Sequence, residues 1–399
     1  MIEAHSQGGD GELLKVNMGP QHPSTHGVLR LELELDGEIV RKCNPVIGYL
    51  HTGMEKTAEQ LTYAQAVTVT DRMDYLNPLG NNLAYSLSVE KLFGCDIPER
   101  AQLGRVLLAE LTRINSHLVS IGSGSIDLGV TSVFLYCLRE REKVLALFEE
   151  LTGQRMMGSF IRPGGLAWDM DETWLKHARA FVDEMPRHID EYEEIVTDNP
   201  FFRERTIGIG PLKADDAIRL GVSGPLLRAA GVPHDLRKVH PYSGYERFDF
   251  KVVTEEGADC YARYKVRVGE LRESVKICDQ ALKLLDAARG PVKTADRKVV
   301  PPPKEELARS MESLIHHFKH FTEGMKPPAG QAYCPTESPR GELGYLVVSD
   351  GSGKPMRMRA RTPSFCNLQA IELMAKGQLV ADLVAIIASI DPVMGDVDR

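Results

Sequence analysis

Near its start the chain alternates between apolar and charged residues. From position 29 to position 36, leucine occupies every odd position and a charged residue every even one, which is the period of a half-buried β-strand. The following Asp36-Gly37 pair predicts a tight turn, and "EIVRKCNPV" predicts the returning strand. Near the other end, "GELGYLVVSDGSGKPMRMRARTP" predicts two more strands around a Gly/Ser/Asp turn. The pattern therefore predicts small β regions at both ends of the chain.

Between these β regions the apolar residues recur at helical spacing. Pro78 begins and Gly94 follows one predicted helix, Pro98 opens the next, and Gly153 stops another. Pro186 predicts a kink or a break within a later helix. The predicted helices cover 54–66, 78–93, a core helix from Pro98 to the glycine-rich stretch before Asp127, 131–151, 171–197, about 261–288, 304–323 and the apolar "LVADLVAIIASIDP".

The order of these elements predicts the fold class. Strands at both ends with helices between them indicate an α+β fold, predominantly helical, built on a bundle of long helices. Neither an internal repeat nor a low-complexity linker divides the sequence. We therefore expect one interlocked domain over 1–399. Its parts are a β-hairpin region at 1–50, a helical core at 54–325 and, at 330–399, a β-hairpin with a terminal helix and tail.

Composition narrows the class of protein. The 399 residues, 43% of them hydrophobic, can bury a large core, and the net charge of −8 disfavours nucleic acid as a partner. The seven cysteines include no C-x-x-C pair, which indicates a reducing compartment and disfavours a disulfide framework or a metal cluster held by this chain alone. The polar start and the lack of an apolar run of about 18 residues predict a protein that is soluble by itself but could dock on a membrane protein.

Short motifs of common enzymes fit poorly. "GSGSIDLG" lacks the last glycine and the preceding strand of a dinucleotide-binding loop, and Pro225 in "GVSGP" breaks the nucleophile-elbow pattern. His316 and His320 in "HHFKH" have the spacing of metal ligands, but without a nearby carboxylate they are better explained as surface or hydrogen-bonding histidines. Asp127 lies between two predicted helices and has the residue type of an N-cap for the second.

A proline-rich loop, "GPQHPSTHG", runs into the first strand. It carries His22 and His26 four positions apart, but Pro23 between them argues against a helix, so the spacing says little about a metal. Rigid loops ahead of strands often hold reactive side chains. These residue types alone leave two alternatives open, reactive histidines or histidines that only complete hydrogen bonds.

Three long, irregular stretches go beyond pattern reading. "GPQHPSTHGVLRLELELDGE", "DRMDYLNPLGNNLAYSLSVEKL" and "DPVMGDVDR" closely resemble the D-subunit family of respiratory complex I, the proton-pumping NADH:quinone oxidoreductase, and "YSGYERFDF", "PTESPRGELGYLVVSDG" and "ESVKI" fit the same family. The resemblance covers nearly the whole chain. It implies a component of the peripheral arm of a translocase that couples quinone reduction to proton pumping, and one that is not active alone.

This family is related to the large subunit of nickel–iron hydrogenases, which hold their metals with two C-x-x-C pairs. At the first pair this sequence has Asp74 and Asn77, at the second it has Val393 and Asp396, and Arg399 replaces the terminal histidine. Nickel and iron–cyanide chemistry needs soft thiolate ligands. The resemblance therefore implies a hydrogenase-like core bundle that has lost its metal.

In the family, the quinone headgroup fills the vacated site. The histidine that contacts quinone matches His26, the tyrosine matches Tyr75, and the aspartate that holds the histidine matches Asp127. A tyrosine hydroxyl and a histidine N–H can each donate a hydrogen bond to one quinone oxygen, and a carboxylate partner favours the imidazolium. The implied lining of the quinone cavity is Val393, Met394 and Gly395.

The resemblance also implies where the electrons come from. In the family they arrive from a terminal 4Fe-4S cluster in the adjoining iron–sulfur (B) subunit, and Arg72 matches an arginine beside that cluster, where a cation should raise the cluster's potential. Met157 stands where many relatives carry a histidine linked to a pH-dependent potential. The implied partners are the B, C and I subunits, the membrane-embedded H subunit and a quinone, at the cytoplasmic face of the bacterial plasma membrane.

Two other functions compete with this one. A hydrogenase-type or ferredoxin-linked component is disfavoured because its cysteine pairs are absent. A scaffold that only positions partners is disfavoured because His26, Tyr75 and Asp127 are all present.

The lost thiolates generate the first prediction. We expect the purified chain to bind neither iron nor nickel stoichiometrically, because all four thiolate positions carry other residues and the cysteines are scattered. Elemental analysis after gel filtration would measure this. One tightly held iron or nickel per chain, lost when cysteines are replaced, would contradict the idea of a vacated site.

Overall fold

The computed structural model describes residues 13–22, 25 and 27–399, so His26 lies outside the described residues. In this part of the chain the strands are β1 (Leu14–Met18), β2 (Arg30–Asp36), β3 (Ile39–Val46), β4 (Ile161–Arg162), β5 (Gly165–Leu166), β6 (Gly330–Ser338), β7 (Gly341–Ser349) and β8 (Arg357–Arg361). The helices are α1 (Met54–Gln60), α2 (Tyr63–Thr70), α3 (Pro78–Phe93), α4 (Glu99–Asp127), α5 (Thr131–Thr152), α6 (Glu172–Val196), α7 (Pro200–Glu204), α8 (Ala214–Arg219), α9 (Pro225–Arg228), α10 (Leu236–Val239), α11 (Cys260–Ala287), α12 (Lys304–Leu307), α13 (Met311–Thr322), α14 (Pro363–Leu368), α15 (Ile371–Ala375), α16 (Asp382–Ile390) and α17 (Met394–Asp398).

Small antiparallel sheets flank the helices. One has the strand order β1-β2-β3 and another β6-β7-β8, while β4 and β5 form a short ribbon. Both predicted hairpins are confirmed, since β2 pairs with β3 around Asp36-Gly37 and β7 pairs with β8. The leucines of β2 are buried, as their alternation predicts. An α+β fold dominated by helices is therefore confirmed.

Each of the two larger sheets has an edge strand that the sequence prediction missed. β1 pairs with β2, and its side chains Leu14, Val16 and Met18 alternate with polar ones, a signal that is short but present. β6 pairs with β7 and contains Pro335. Proline argues against a central strand, but an edge strand tolerates it because one side of its backbone needs no donor.

Proline and glycine mark the helix ends as predicted. α3 begins at Pro78 and is followed by Gly94, and α5 is followed by Gly153; both glycines have left-handed backbone angles. Asp391 adopts the same conformation after α16, with φ of 55°. Pro186 does not break α6, which continues helically on both sides of it.

Two predicted helices are each split in two. The prediction of one helix over 54–66 is wrong, because Thr62 begins a new helix with a capping box. Its hydroxyl accepts from the Gln65 N–H at 3.3 Å, and the Gln65 side chain accepts from the Thr62 N–H at 3.0 Å. The prediction over 304–323 is wrong for the same reason, since Ser310 caps α13 after α12 has ended.

Long helices form the largest apolar core. α4 packs between α5 and α11, and α6 packs against both of these neighbours. A second core joins the first sheet to α15 and α16, and a third joins α1–α3 to the last sheet. The two ends of the chain meet where Val40 N donates to Gln378 O at 2.9 Å. Across the described residues, no helix combines the length and apolarity needed to cross a bilayer.

Charged side chains are also buried between these helices. Glu110 of α4 is fully buried and accepts hydrogen bonds from Arg113, Arg237, Tyr245 and Ser274. The two arginines stabilise the ionised form and lower the pKa of the Glu110 carboxyl, although burial opposes this. Glu110 therefore ties α4 to α10 and α11.

This carboxylate generates the second prediction. We expect Glu110→Gln to lower the free energy of unfolding by about 3–5 kcal/mol, because two buried guanidinium groups lose a shared anion. Lys283→Ala removes an exposed i,i+4 pair with Asp279 and should change it by less than about 1 kcal/mol. Equilibrium urea denaturation measures both values. Equal, small effects would show that Glu110 is not a structural tie.

Candidate functional site

The connection between α2 and α3 carries three of the residues singled out from the sequence. Arg72 is exposed, Asp74 is buried and Tyr75 is half-buried. Asn115 of α4 supports this connection, since its amide donates to Leu76 O at 3.3 Å.

The end of the chain packs directly on this connection. Val393 and Met394 are buried, and a Cβ placed on Gly395 would lie 2.6 Å from Met73 O and 3.2 Å from Arg72 O. Only glycine allows the two backbones to approach this closely. The structure thus brings the predicted lining residues 393–395 to the Arg72–Tyr75 connection, although they are some 320 positions apart in sequence.

A buried arginine joins the two segments. Arg340, between β6 and β7, is fully buried and donates to Asp74 Oδ1 at 3.3 Å, to Asp74 Oδ2 at 3.0 Å and to Asp391 O at 2.8 Å. Its Nη2 also lies 3.0 Å from Asp391 Oδ2, an ion pair that is not aligned as a hydrogen bond. A guanidinium thus lies between Asp74, at a position of a lost thiolate, and the start of the C-terminal tail.

Asp396, at another lost thiolate position, lies in the same cluster. Its Oδ2 accepts from Ser364 N–H at 3.0 Å, and its buried Oδ1 has no hydrogen-bond partner among the described residues. Burial raises the pKa of Asp396 to about 7, and the nearby Asp74 charge adds to the rise while Arg340 opposes it. Burial also raises the pKa of Asp74, against the attraction of Arg340.

Tyr75 feels the same charges. Burial raises the pKa of its hydroxyl above the ordinary value; Asp74 and Asp391 add to the rise, and Arg340 opposes it. At neutral pH Tyr75 is therefore a protonated phenol that can donate a hydrogen bond.

Arg72 and the Met157 segment lie on neighbouring parts of the surface. The Arg72 guanidinium donates to the Thr68 carbonyl. Asp71 next to it accepts from Ser159 N–H at 3.1 Å and from Ser159 Oγ at 2.5 Å, which holds the segment after Met157 in place. Burial raises the pKa of Asp71 to about 6, against the lowering effect of these hydrogen bonds.

Asp127 does not cap the following helix, so that alternative is wrong. It is the last residue of α4, it is exposed, and Val130 occupies the N-cap position of α5. A carboxylate at the C-terminal end of a helix is unfavourable for the helix dipole. Asp127 lies about 18 Å along α4 from Asn115, at 1.5 Å per residue. Helix stability therefore does not explain why an aspartate stands here.

The sequence analysis missed Arg340 and Asp391 as site residues. Arg340 was visible only as one arginine in "SPRG" ahead of an apolar strand, and Asp391 only as a helix end. Within the described ranges 13–22, 25 and 27–399, no group of three or more His, Cys, Asp or Glu side chains could hold a metal ion.

Fold and site together define a helical α+β protein whose candidate centre is a tyrosine backed by buried carboxylates and one guanidinium. A sequence profile described as "Respiratory-chain NADH dehydrogenase, 49 Kd subunit" matches residues 127–399. The second of the numbered D subunits of NADH-quinone oxidoreductase from Chloroflexus aurantiacus is 58% identical over 392 residues, covering 98% of this chain and 95% of that protein. The corresponding D subunit from Geotalea uraniireducens is 54% identical over 388 residues, covering 97% of this chain and 99% of that protein. The chain belongs to the family of the 49 kDa subunit of respiratory-chain NADH dehydrogenase, also called the D subunit.

Proposed function

We propose that this chain forms the quinone headgroup site of a proton-translocating NADH:quinone oxidoreductase. The observation that carries the proposal is the position of Tyr75. Its hydroxyl is kept protonated by burial, and its segment lies in backbone contact with the tail at Gly395. The full-length similarity to the D subunits of other bacteria supports the same activity.

Quinone reduction needs two electrons and two protons, one proton for each carbonyl oxygen. Tyr75 donates a hydrogen bond to one oxygen and releases its proton as negative charge develops there. His26 serves the other oxygen, and Asp127 favours its imidazolium form. His26 and Asp127 hold these roles by the family match, and the position of Asp127 at an unfavourable helix end supports a role other than helix stability.

The electrons arrive from a 4Fe-4S cluster in an adjoining iron–sulfur (B) subunit. Arg72 is the cation of this chain placed to face that cluster, since its side chain is exposed beside the Tyr75 connection. The C and I subunits and the membrane-embedded H subunit complete the surroundings, and quinone reduction drives proton translocation elsewhere in the complex. The chain is a single interlocked domain at the cytoplasmic face of the bacterial plasma membrane, and it is not active alone.

The cluster around Arg340 explains how a hydrogenase-like scaffold could work without metal. At the positions of the lost thiolates stand Asp74 and Asp396, and the guanidinium of Arg340 supplies the positive charge. A permanent cation replaces the metal's electrostatic part but offers no orbitals for hydrogen chemistry. The site is therefore suited to protonating a substrate that is reduced from outside.

Tyr75 is the subject of the third prediction. In the assembled complex, Tyr75→Phe should lower quinone reduction about 100-fold, because only the hydroxyl that stabilises developing charge is lost. NADH oxidation with short- and long-tail quinones measures the rate. Tyr261→Phe, which removes a hydroxyl bound to Thr197 O between α6 and α11, should keep it. Near-normal turnover of Tyr75→Phe with both quinones would rule out the proposed role.

Asp127 is the subject of the fourth prediction. If its carboxylate stabilises the His26 imidazolium, the pKa of His26 lies above its ordinary value near 6.5, and Asp127→Asn should lower it. The pH optimum of quinone reduction should then move downward, with a lower maximal rate. Asp198→Asn, at an exposed aspartate, is the control. An unchanged pH profile for Asp127→Asn would remove Asp127 from the proton route.

A further inference from the structure

The cluster behind Tyr75 holds more carboxylates than cations at its centre. Asp74, Asp391 and Asp396 are all buried, and Arg340 contacts the first two directly. Asp396 makes no ion pair within the described part of the chain. Three buried negative charges around one guanidinium would be costly, so the carboxyl with the weakest support is the one expected to hold a proton.

The contacts of Asp396 identify it as that carboxyl. It accepts one backbone hydrogen bond, and its Oδ1 is buried without a partner among the described residues. By contrast, the two oxygens of Asp398 accept from Gly48 N–H at 2.8 Å and Leu50 N–H at 2.6 Å, as suits an ionised carboxylate. The chain thus supplies the donors for an anion at Asp398 and withholds them at Asp396.

The charged and titratable groups around Asp396 come from three directions. Asp74 faces it from the connection before α3, and Tyr345 and Arg340 face it from β7 and the turn that precedes it. Asp391, in the same tail, is bound by Arg340 and also attracts Arg267 of α11. Among these groups Asp74 is next to Tyr75 in the chain and interacts with both Tyr75 and Asp396.

We propose that Asp396 stores the proton that restores Tyr75 after Tyr75 has protonated the quinone, with Asp74 as the relay between them. This rests on the proposed function above. Asp396 does not touch the quinone in this scheme and is a positioning residue for the proton.

The proton transfers balance as follows. The quinone receives two electrons from the adjoining iron–sulfur protein, the Tyr75 O–H bond breaks, and an O–H bond forms on the quinone oxygen. Asp74 passes a proton to the phenolate and takes one from Asp396, so the Asp396 O–H bond breaks and the Tyr75 O–H bond forms again. A proton from water then restores Asp396. The transfer runs downhill because the raised pKa of Tyr75 makes its phenolate a stronger base than the Asp396 carboxylate.

The fifth prediction compares Asp396→Asn with Asp396→Glu in the assembled complex, using a short-chain ubiquinone analogue. In the unmodified protein the rate should fall as pH rises through about 7, because Asp396 then loses its stored proton. Asp396→Asn should lower the rate about 10-fold and remove this inflection, since an amide stores no acidic proton. Asp396→Glu should restore both, and Asp215→Asn, at an exposed position, should change neither.

Infrared difference spectra on quinone reduction supply a readout that a purely structural role would not move. The unmodified complex should show a carbonyl band of a protonated carboxylic acid that shifts on H/D exchange. The band should disappear in Asp396→Asn and move in Asp396→Glu. If Asp396→Asn does not assemble, the unmodified and Asp396→Glu spectra decide. A spectrum without such a band, or with one unchanged in Asp396→Glu, overturns the proposal.

The two proposals fail in different ways. If Tyr75→Phe loses activity while Asp396→Asn keeps the rate and pH profile of the unmodified complex, the proton store is wrong and the quinone site stands. If Tyr75→Phe keeps full activity, the quinone site itself fails, and with it the proton store.

Discussion

The guanidinium of Arg340 is the interaction on which the arrangement of the site depends. It holds the connection before α3 through Asp74 and the start of the tail through Asp391, while its own carbonyl accepts from Asn367 of α14 at 2.9 Å. A Cβ on Gly224 would lie 2.4 Å from that same carbonyl, so a fourth part of the chain packs there. Because these partners come from distant parts of the sequence, losing the cation would leave buried carboxylates uncompensated and release several segments at once.

A second buried network fixes the frame in which Arg340 lies. Glu337, three positions before it, accepts from Arg228 at 2.7 Å, and Arg228 also donates to Glu270 of α11 at 2.8 Å. The same β6 end is held by Arg113 of α4, which donates to Ser338 O at 3.0 Å. These charges do not replace the apolar core. They fix the register between the helices and the last sheet, because a shifted strand would leave buried charges unpaired.

The sequence was most informative where local chemistry decides the structure. Pro78, Gly94 and Gly153 predicted helix ends because their backbone preferences act within one turn. The break at Thr62 was also encoded locally, in a Thr-x-x-Gln capping box that the continuing apolar spacing concealed. The cluster was not encoded in this way. No periodicity relates Asp74, Arg340 and Asp396, and only the fold brings them together. The family match pointed to Asp74 and Asp396 as changed metal positions, but it gave no role to the arginine between the two segments.

The charges around Tyr75 act in opposite directions, and this balance is what suits the site to its proposed reaction. Burial and the carboxylates keep the phenol protonated, so it can wait as a hydrogen-bond donor. Arg340 favours the phenolate, so the negative charge that appears when the proton leaves is not wholly opposed. A metal in the same place would hold the phenolate permanently and remove the proton that quinone needs. The exchange of thiolates for carboxylates and an arginine therefore turns a site that could bind metal into one that can give and recover a proton.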